Sequence, residues 1–178
     1  VFRAADKITQ TSREFDDAGI QAVGIPLVEN QVLSQGINNL KDLLTHQQNN
    51  KVVFISTTAS QLAVEQLDYF TGNLRFYAVG KSTADILRKS GLEVTVPADE
   101  SSEGLLSLSD FQDVTGESII IIKGEGGRQT LAETLEKRAA NVKEVAVYRR
   151  SIISQPNADS KSVSLFMFTL EVLFCVDV

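Results

Sequence analysis

Four short stretches of this chain carry the residue types that receive anions. They are Ser56-Thr57-Thr58, Gly80-Lys81-Ser82-Thr83, Ser101-Ser102-Glu103-Gly104 and Lys123-Gly124-Glu125-Gly126-Gly127-Arg128. Each stands between an apolar β-type run and a helical pattern. The first N–H groups of a helix have no intrahelical partner, and the helix dipole favours negative charge there. The same small and hydroxyl residues also build tight strand-to-helix turns, so ligand binding and simple turn formation stay open as uses of these loops. A fifth stretch, Tyr148-Arg149-Arg150, sets a phenol and two guanidiniums at the close of an apolar run. It can present an acid to a cleft, or serve as a strand-end anchor followed by two solvated arginines.

Other chemistries are excluded by what is missing or misplaced. The glycine that a phosphate-cradling loop needs before Gly80-Lys81-Ser82 falls on Arg75, so that loop cannot form. Gly124-Glu125-Gly126 opens like a dinucleotide fingerprint, but its third glycine position is Gln129. The single histidine, His46, lies in the polar stretch Thr45-His46-Gln47-Gln48, and the single cysteine is Cys175. Together they supply neither a zinc site nor an internal disulfide, and His46 reads as a solvated side chain. One unpaired cysteine fits a reducing, cytoplasmic setting. A net charge of −6 argues against nucleic acid as a partner. No apolar run is long enough to span a membrane, and no secretory signal is visible.

The elements that must hold these loops alternate strand with helix. Lys51–Ser56, Leu74–Val79, Glu93–Pro97, Ser118–Ile122 and Val142–Val147 read as strands. Ser60–Phe70, Thr83–Ser90 (stopped by Gly91), Glu103–Asp110 (capped by Ser102) and Gln129–Ala140 read as helices, with Asn141 in the role of a C-terminal cap. Such alternation predicts βαβ units with a parallel sheet between helical layers, and ligands beyond the carboxyl ends of the strands.

The flanks form a second set. Ala5–Ala18 reads as a helix capped by Gly19, Ala22–Pro26 as a strand, and Val163–Phe168 as another apolar run. Val28–Gly36 and Tyr148–Ser162 are polar, extended-looking and helix-poor, and they read as two crossings between domains. The predicted fold is therefore α/β: two doubly wound parallel-sheet domains, one discontinuous, joined by two extended crossing segments. The discontinuous domain takes residues 1–30 and 155–178, and the inserted domain takes 31–154. A single domain with decorated ends is the alternative.

The order and spacing of Ala78–Leu92, Ser101–Leu106, Ile121–Leu131 and Asn141–Arg150 resemble the uroporphyrinogen-III synthase family. The resemblance implies two α/β domains with an active site in the cleft between them. It implies cyclodehydration of hydroxymethylbilane, a linear tetrapyrrole with eight carboxylates, with inversion of ring D through a spiro intermediate. It implies no metal and no organic cofactor, a monomer, and at most a transient contact with the preceding pathway enzyme. Tyr148 matches the family's tyrosine and becomes the candidate acid. Substrate contacts are carried over to Arg3, Ser56, Lys81, Ser82, Thr83, Ser101, Ser102, Gly126, Gly127 and Thr169. The chain departs from the family pattern at Phe2-Arg3-Ala4, where Thr-Arg-Pro is usual, at Ile55, where a threonine is usual, and after Thr169, where the family continues with further strands and helices. The reading to set against catalysis is a two-domain module that binds a small anion without turning it over.

Overall fold

The computed structural model describes residues 2–20, 25–46, 51–66, 74–127, 129–153, 165–169 and 172–176. The chain divides into two compact units, residues 32–149 and residues 1–31 with 150–178.

In the 32–149 unit the strands β3 (Lys51–Phe54), β4 (Arg75–Ala78), β5 (Val94–Thr95), β6 (Ser118–Gly124) and β7 (Asn141–Ile152, which runs on past the unit) lie in the order β7-β6-β3-β4-β5. Every neighbouring pair is parallel. β3 and β6 are continuous apolar runs because both faces of the sheet are covered. Ile120 and Ile122 point with Val52 and Phe54 into one layer, closed by Leu40 and Leu44 of α2 (Ser34–His46), Ala59 and Ala63 of α3 (Thr57–Val64), and Ala84 and Leu87 of α4 (Lys81–Lys89). Ile119 and Ile121 point with Val53 into the other, closed by Leu105 and Leu106 of α5 (Ser102–Ser107) and Leu131 and Leu135 of α6 (Thr130–Lys137). Each isoleucine so buried contributes roughly 1.5–3 kcal/mol of transfer free energy. The chain order reverses direction at β3, which places the topological switch point between the carboxyl ends of β3 and β6.

The amino ends of the same strands hold a separate polar cluster. Lys51, 1% exposed, is ion-paired with Glu117, whose other carboxylate oxygen lies 3.5 Å from Arg75. The Tyr77 hydroxyl donates to Asp110 at 2.5 Å, and its ring meets Phe111 edge-on at 4.7 Å. Burial pushes the Lys51 ammonium down to about 8, helped by the like charge of Arg75 and opposed by Asp110 and Asp113. Burial, then the bond to Asp110, raises Tyr77.

In the other unit β1 (Phe2–Ala4) runs parallel to β2 (Ile25–Val32), and α1 (Ala5–Asp17) follows β1 directly. β8 (Leu165–Thr169) and β9 (Val172–Val176) form an antiparallel pair, so the parallel pattern does not extend to these two strands. Among the described residues no helix is long and apolar enough to cross a membrane.

Several local expectations change. Ser34–His46 is a helix: it takes in the end of the Val28–Gly36 crossing and a stretch to which the sequence reading assigns no element, and its stripe of Ile37, Leu40, Leu43 and Leu44 is packed on the sheet. The cap of α5 is Ser101, not Ser102, and α5 stops at Ser107 before a short 3-10 turn over Ser109–Phe111. Ala139 at φ 60°, not Asn141, takes the left-handed position after α6, and Asn141 opens β7. α3 spans Thr57–Val64 rather than starting at Ser60. Ala22–Gly24 and Val163–Ser164 lie outside the described residues.

Candidate functional site

Because the five strands are parallel, the loops after β3, β4, β5 and β6 all emerge at one end of the sheet. That end carries Ser56, Lys81, Ser82, Thr83, Ser101, Ser102, Gly126 and Gly127. Arg3 lies in β1 opposite Pro26, and Thr169 ends β8 opposite Val172, both in the other unit.

Tyr148 joins this end by an irregularity in β7. Ala146 pairs with Lys123, but the next pair is Tyr148 with Gly124, so Val147 is an extra residue in the ladder. A bulge of this kind re-aims the side chain that follows it. Strict alternation would send Val147 and Tyr148 to opposite faces; instead both belong to the layer under α2, α3 and α4. The bulge is held by two backbone bonds. Glu125 N–H donates to the Tyr148 carbonyl at 2.7 Å, and Leu33 N–H donates to the Val147 carbonyl at 2.9 Å. Tyr148 therefore does not close a strand, as the sequence suggested. It sits inside a 12-residue strand that continues to Ile152.

From there the ring crosses β6 to reach the loop after β3. A Cβ built on Gly124 would lie 2.6 Å from the Tyr148 Cζ and 2.8 Å from its hydroxyl oxygen, so only a residue without a side chain fits beneath the ring. The Tyr148 hydroxyl and Ser56 Oγ are 3.1 Å apart. Ser56 is the N-cap of α3 and accepts the Ala59 N–H at 3.2 Å. Tyr148, 5% exposed, is thus a core residue whose polar tip meets the start of a helix at the switch point.

The helix starts differ in how their N–H groups are served. Ser101 Oγ caps α5 by accepting Gly104 N–H at 2.9 Å, and its own hydroxyl donates to Asp99 at 2.7 Å. α4 begins after Gly80, which has no capping side chain; instead the Glu100 carboxylate accepts Lys81 N–H at 2.8 Å. Its second oxygen lies 3.5 Å from the Lys81 ammonium, which is otherwise 76% exposed. In the first turn Ser82 is exposed, whereas Thr83 is buried against the core. α6 follows Gly126 and Gly127, at φ 77° and 85°, and its N-cap position, Gln129, makes no side-chain cap bond. Both glycines face open space, so the left-handed backbone, not close contact, is what requires them.

The geometry therefore brings Tyr148 and Ser56 into direct contact, and it places the remaining loop residues of this unit around the same end of the sheet. Sequence reasoning missed Gly124 and Glu100. Gly124 was visible only as one glycine of a rich loop, and no local pattern joins Glu100 to a helix starting at Lys81.

The family model described as Uroporphyrinogen-III synthase HemD matches residues 9–169. The chain is 36% identical over 139 residues to the uroporphyrinogen-III synthase of Salmonella typhimurium, covering 74% of this chain and 56% of that protein. It is 31% identical over 154 residues to the synthase of Proteus mirabilis, covering 81% of this chain and 75% of the relative. A mutant uroporphyrinogen III synthase from the extremely thermophilic bacterium Thermus thermophilus shares the fold with a TM-score of 0.63 at 14% identity, over 86% of this chain and 64% of the other. The chain thus spans somewhat more than half the length of the Salmonella protein. By the extent of the family match and the identity to the Proteus protein, it belongs to the uroporphyrinogen-III synthase family.

Proposed function

We propose that the chain serves the reaction of its family, the cyclodehydration of hydroxymethylbilane to uroporphyrinogen III with inversion of ring D. The observation that carries this reading is the seat of Tyr148: a bulge, a bare Gly124 and the helix-capping Ser56 fix one phenol at the switch point of the sheet. Such a site suits a substrate that supplies most of its own driving force. A pyrrole nitrogen lone pair expels the terminal hydroxyl; the C–O bonding pair leaves on oxygen, the phenol donates the proton with which it departs as water, and the phenolate recovers a proton from the pyrrole carbon that loses one on ring closure. Ring D then reacts at its substituted carbon to give the spiro intermediate, and reopening and closure complete the macrocycle. Positioning accounts for most of such an effect.

The carboxylates would be received by backbone N–H groups. Of the four helix starts, α3 and α5 are capped by Ser56 and Ser101 and α4 is served by Glu100; α6, after Gly126 and Gly127, has no side-chain bond from its N-cap residue, and Lys81 and Ser82 are exposed at the start of α4, on the other face of the sheet. Ser102 and Thr83 belong to the first turns of α5 and α4. Arg3 and Thr169 are assigned to the substrate on the family resemblance alone. An acidic protein can hold a polyanion this way because the attraction comes from oriented peptide groups, not from net charge.

The test is a coupled assay with freshly made hydroxymethylbilane that separates the type III product from the type I product formed spontaneously. Type III product, formed in proportion to the protein added, supports the reading. Type I product alone favours the non-catalytic anion-binding module.

A further inference from the structure

We propose that Ser56 is a positioning residue that holds the Tyr148 phenol as a hydrogen-bond acceptor, leaving the phenol's own proton directed at the ligand. The inference rests on the function proposed above and adds the direction of one hydrogen bond to it. Ser56 Oγ already accepts the Ala59 N–H as the cap of α3. A serine hydroxyl has two lone pairs and a single proton. With one lone pair engaged by the helix, that proton points away from the Ala59 N–H, and the Tyr148 hydroxyl oxygen stands 3.1 Å from Oγ. Donation from Ser56 into that oxygen satisfies both groups. It also supports the negative charge that grows on the phenol oxygen as its proton leaves. The reverse orientation would tie the phenol proton to Ser56 and disarm the acid.

Gly124 is the second half of the device. Its missing side chain lets the ring lie across β6, and the bulge at Val147 turns Tyr148 toward Ser56 rather than toward the opposite face. Ser56 is thus assigned to Tyr148 and not to direct substrate binding. The helix cap, which fixes Oγ, is what makes a flexible hydroxyl a directional donor.

An isosteric pair separates donor from cap. Ser56→Asn and Ser56→Asp have the same shape, and both side chains cap helices well. The amide can accept from Ala59 and donate to Tyr148; the carboxylate can only accept. The Asn variant should form type III product about 10- to 100-fold faster than the Asp variant, the range expected for losing one hydrogen bond to a developing charge. The difference should disappear when each is combined with Tyr148→Phe. Equal rates for the two variants, at whatever level, overturn the proposal, because the donor at this position is then immaterial.

A second readout needs no substrate. The tyrosine ring-mode doublet in Raman spectra distinguishes a phenol that accepts from one that donates, and the difference spectrum against Tyr148→Phe isolates this residue. The expected pattern is acceptor-type in the unmodified chain and donor-type in Ser56→Asp. A donor-type doublet in the unmodified chain overturns the proposal. If the acceptor-type pattern is found but only type I product forms, the hydrogen-bond assignment stands and the proposed function falls.

Discussion

Gly124→Ala is the sharpest perturbation of this site, because it adds a single methyl group where the structure has no room. The added carbon would stand 2.6 Å from Tyr148 Cζ, 2.8 Å from its hydroxyl oxygen and 2.9 Å from Cε1. Non-bonded carbon atoms settle at about 3.5–4.0 Å, so the ring has to withdraw by roughly 1 Å. That movement lengthens a 3.1 Å hydrogen bond past any useful range. It also forces a 5%-exposed ring into neighbours that are already packed. Overpacking of this kind costs about 1–3 kcal/mol and the lost hydrogen bond about 1 kcal/mol more. For a unit of this size the sum corresponds to a fall in Tm of roughly 10–15 °C. The backbone itself accepts alanine, since Gly124 is not among the residues with positive φ. Thermal melts by circular dichroism read the stability, and the type III assay reads the site, where a displacement of about 1 Å can reduce kcat by roughly 10². In a Tyr148→Phe background the same substitution should still lower Tm, because Cζ and Cε1 remain, while leaving the rate with little further to lose. A Tm within 2 °C or so of the parent, with kcat unchanged, would show that the ring is not seated on Gly124 and would remove the basis for placing Tyr148.

Tyr148→Phe should lower kcat by about 10²-fold, the low end for a general acid, with KM little changed, and should lower stability by about 1 kcal/mol through loss of the Ser56 bond; steady-state rates with melts as control decide it, and an unchanged kcat reduces the phenol to a packing group. Gly126→Ala places a Cβ in open space at φ 77°, so it should destabilise by about 1–2 kcal/mol without a clash and raise KM for substrate; an unaltered melt together with an unaltered KM counts against a left-handed anion cradle there. Lys51→Met tests the far end of the sheet by pH. The folded state holds the ammonium at about 8 against 10.5 when free, so between those values the unfolded chain binds the extra proton and stability attributable to Lys51 rises with pH. The Tm of the parent minus that of Lys51→Met should therefore climb from pH 7.5 to pH 10, while the contribution of Tyr77 is common to both proteins and cancels; a flat or falling difference refutes the burial argument.

The central sheet is legible because its strands are written in the plainest terms. Ile119–Ile122 is an unbroken β-branched run, Lys51–Phe54 pairs with it, and Arg75–Ala78 pairs with Lys51–Phe54 in turn. α2 is harder to read because Gly36, Asn38 and Asn39 lower its intrinsic propensity, so its apolar stripe is helical only by virtue of packing on the sheet. Tyr148 can be singled out as a residue type near the end of an apolar run, but its direction cannot. Alternation along β7 sends it to the wrong face, and only the extra residue at Val147, a matter of register between two strands, restores it. Ala139 shows the same limit on a smaller scale: nothing in its side chain announces a left-handed backbone, which the surrounding turn imposes. The contact between Glu100 and the start of α4 joins residues 19 positions apart, beyond the reach of any local rule.

That contact has a further consequence. With Glu100 in place, α4 carries its own counter-anion: a carboxylate sits on the first N–H, and Lys81 stands over it. An incoming anion at this helix therefore meets an occupied seat, and its net gain is the difference between two carboxylates competing for one set of peptide groups, not the full attraction of a bare helix end. Exchange of that kind is nearly neutral in charge. It discriminates among anions by fit and by how many seats they reach at once, so a single small carboxylate gains almost nothing over Glu100, while a ligand carrying several can win at this seat on the strength of those it holds elsewhere.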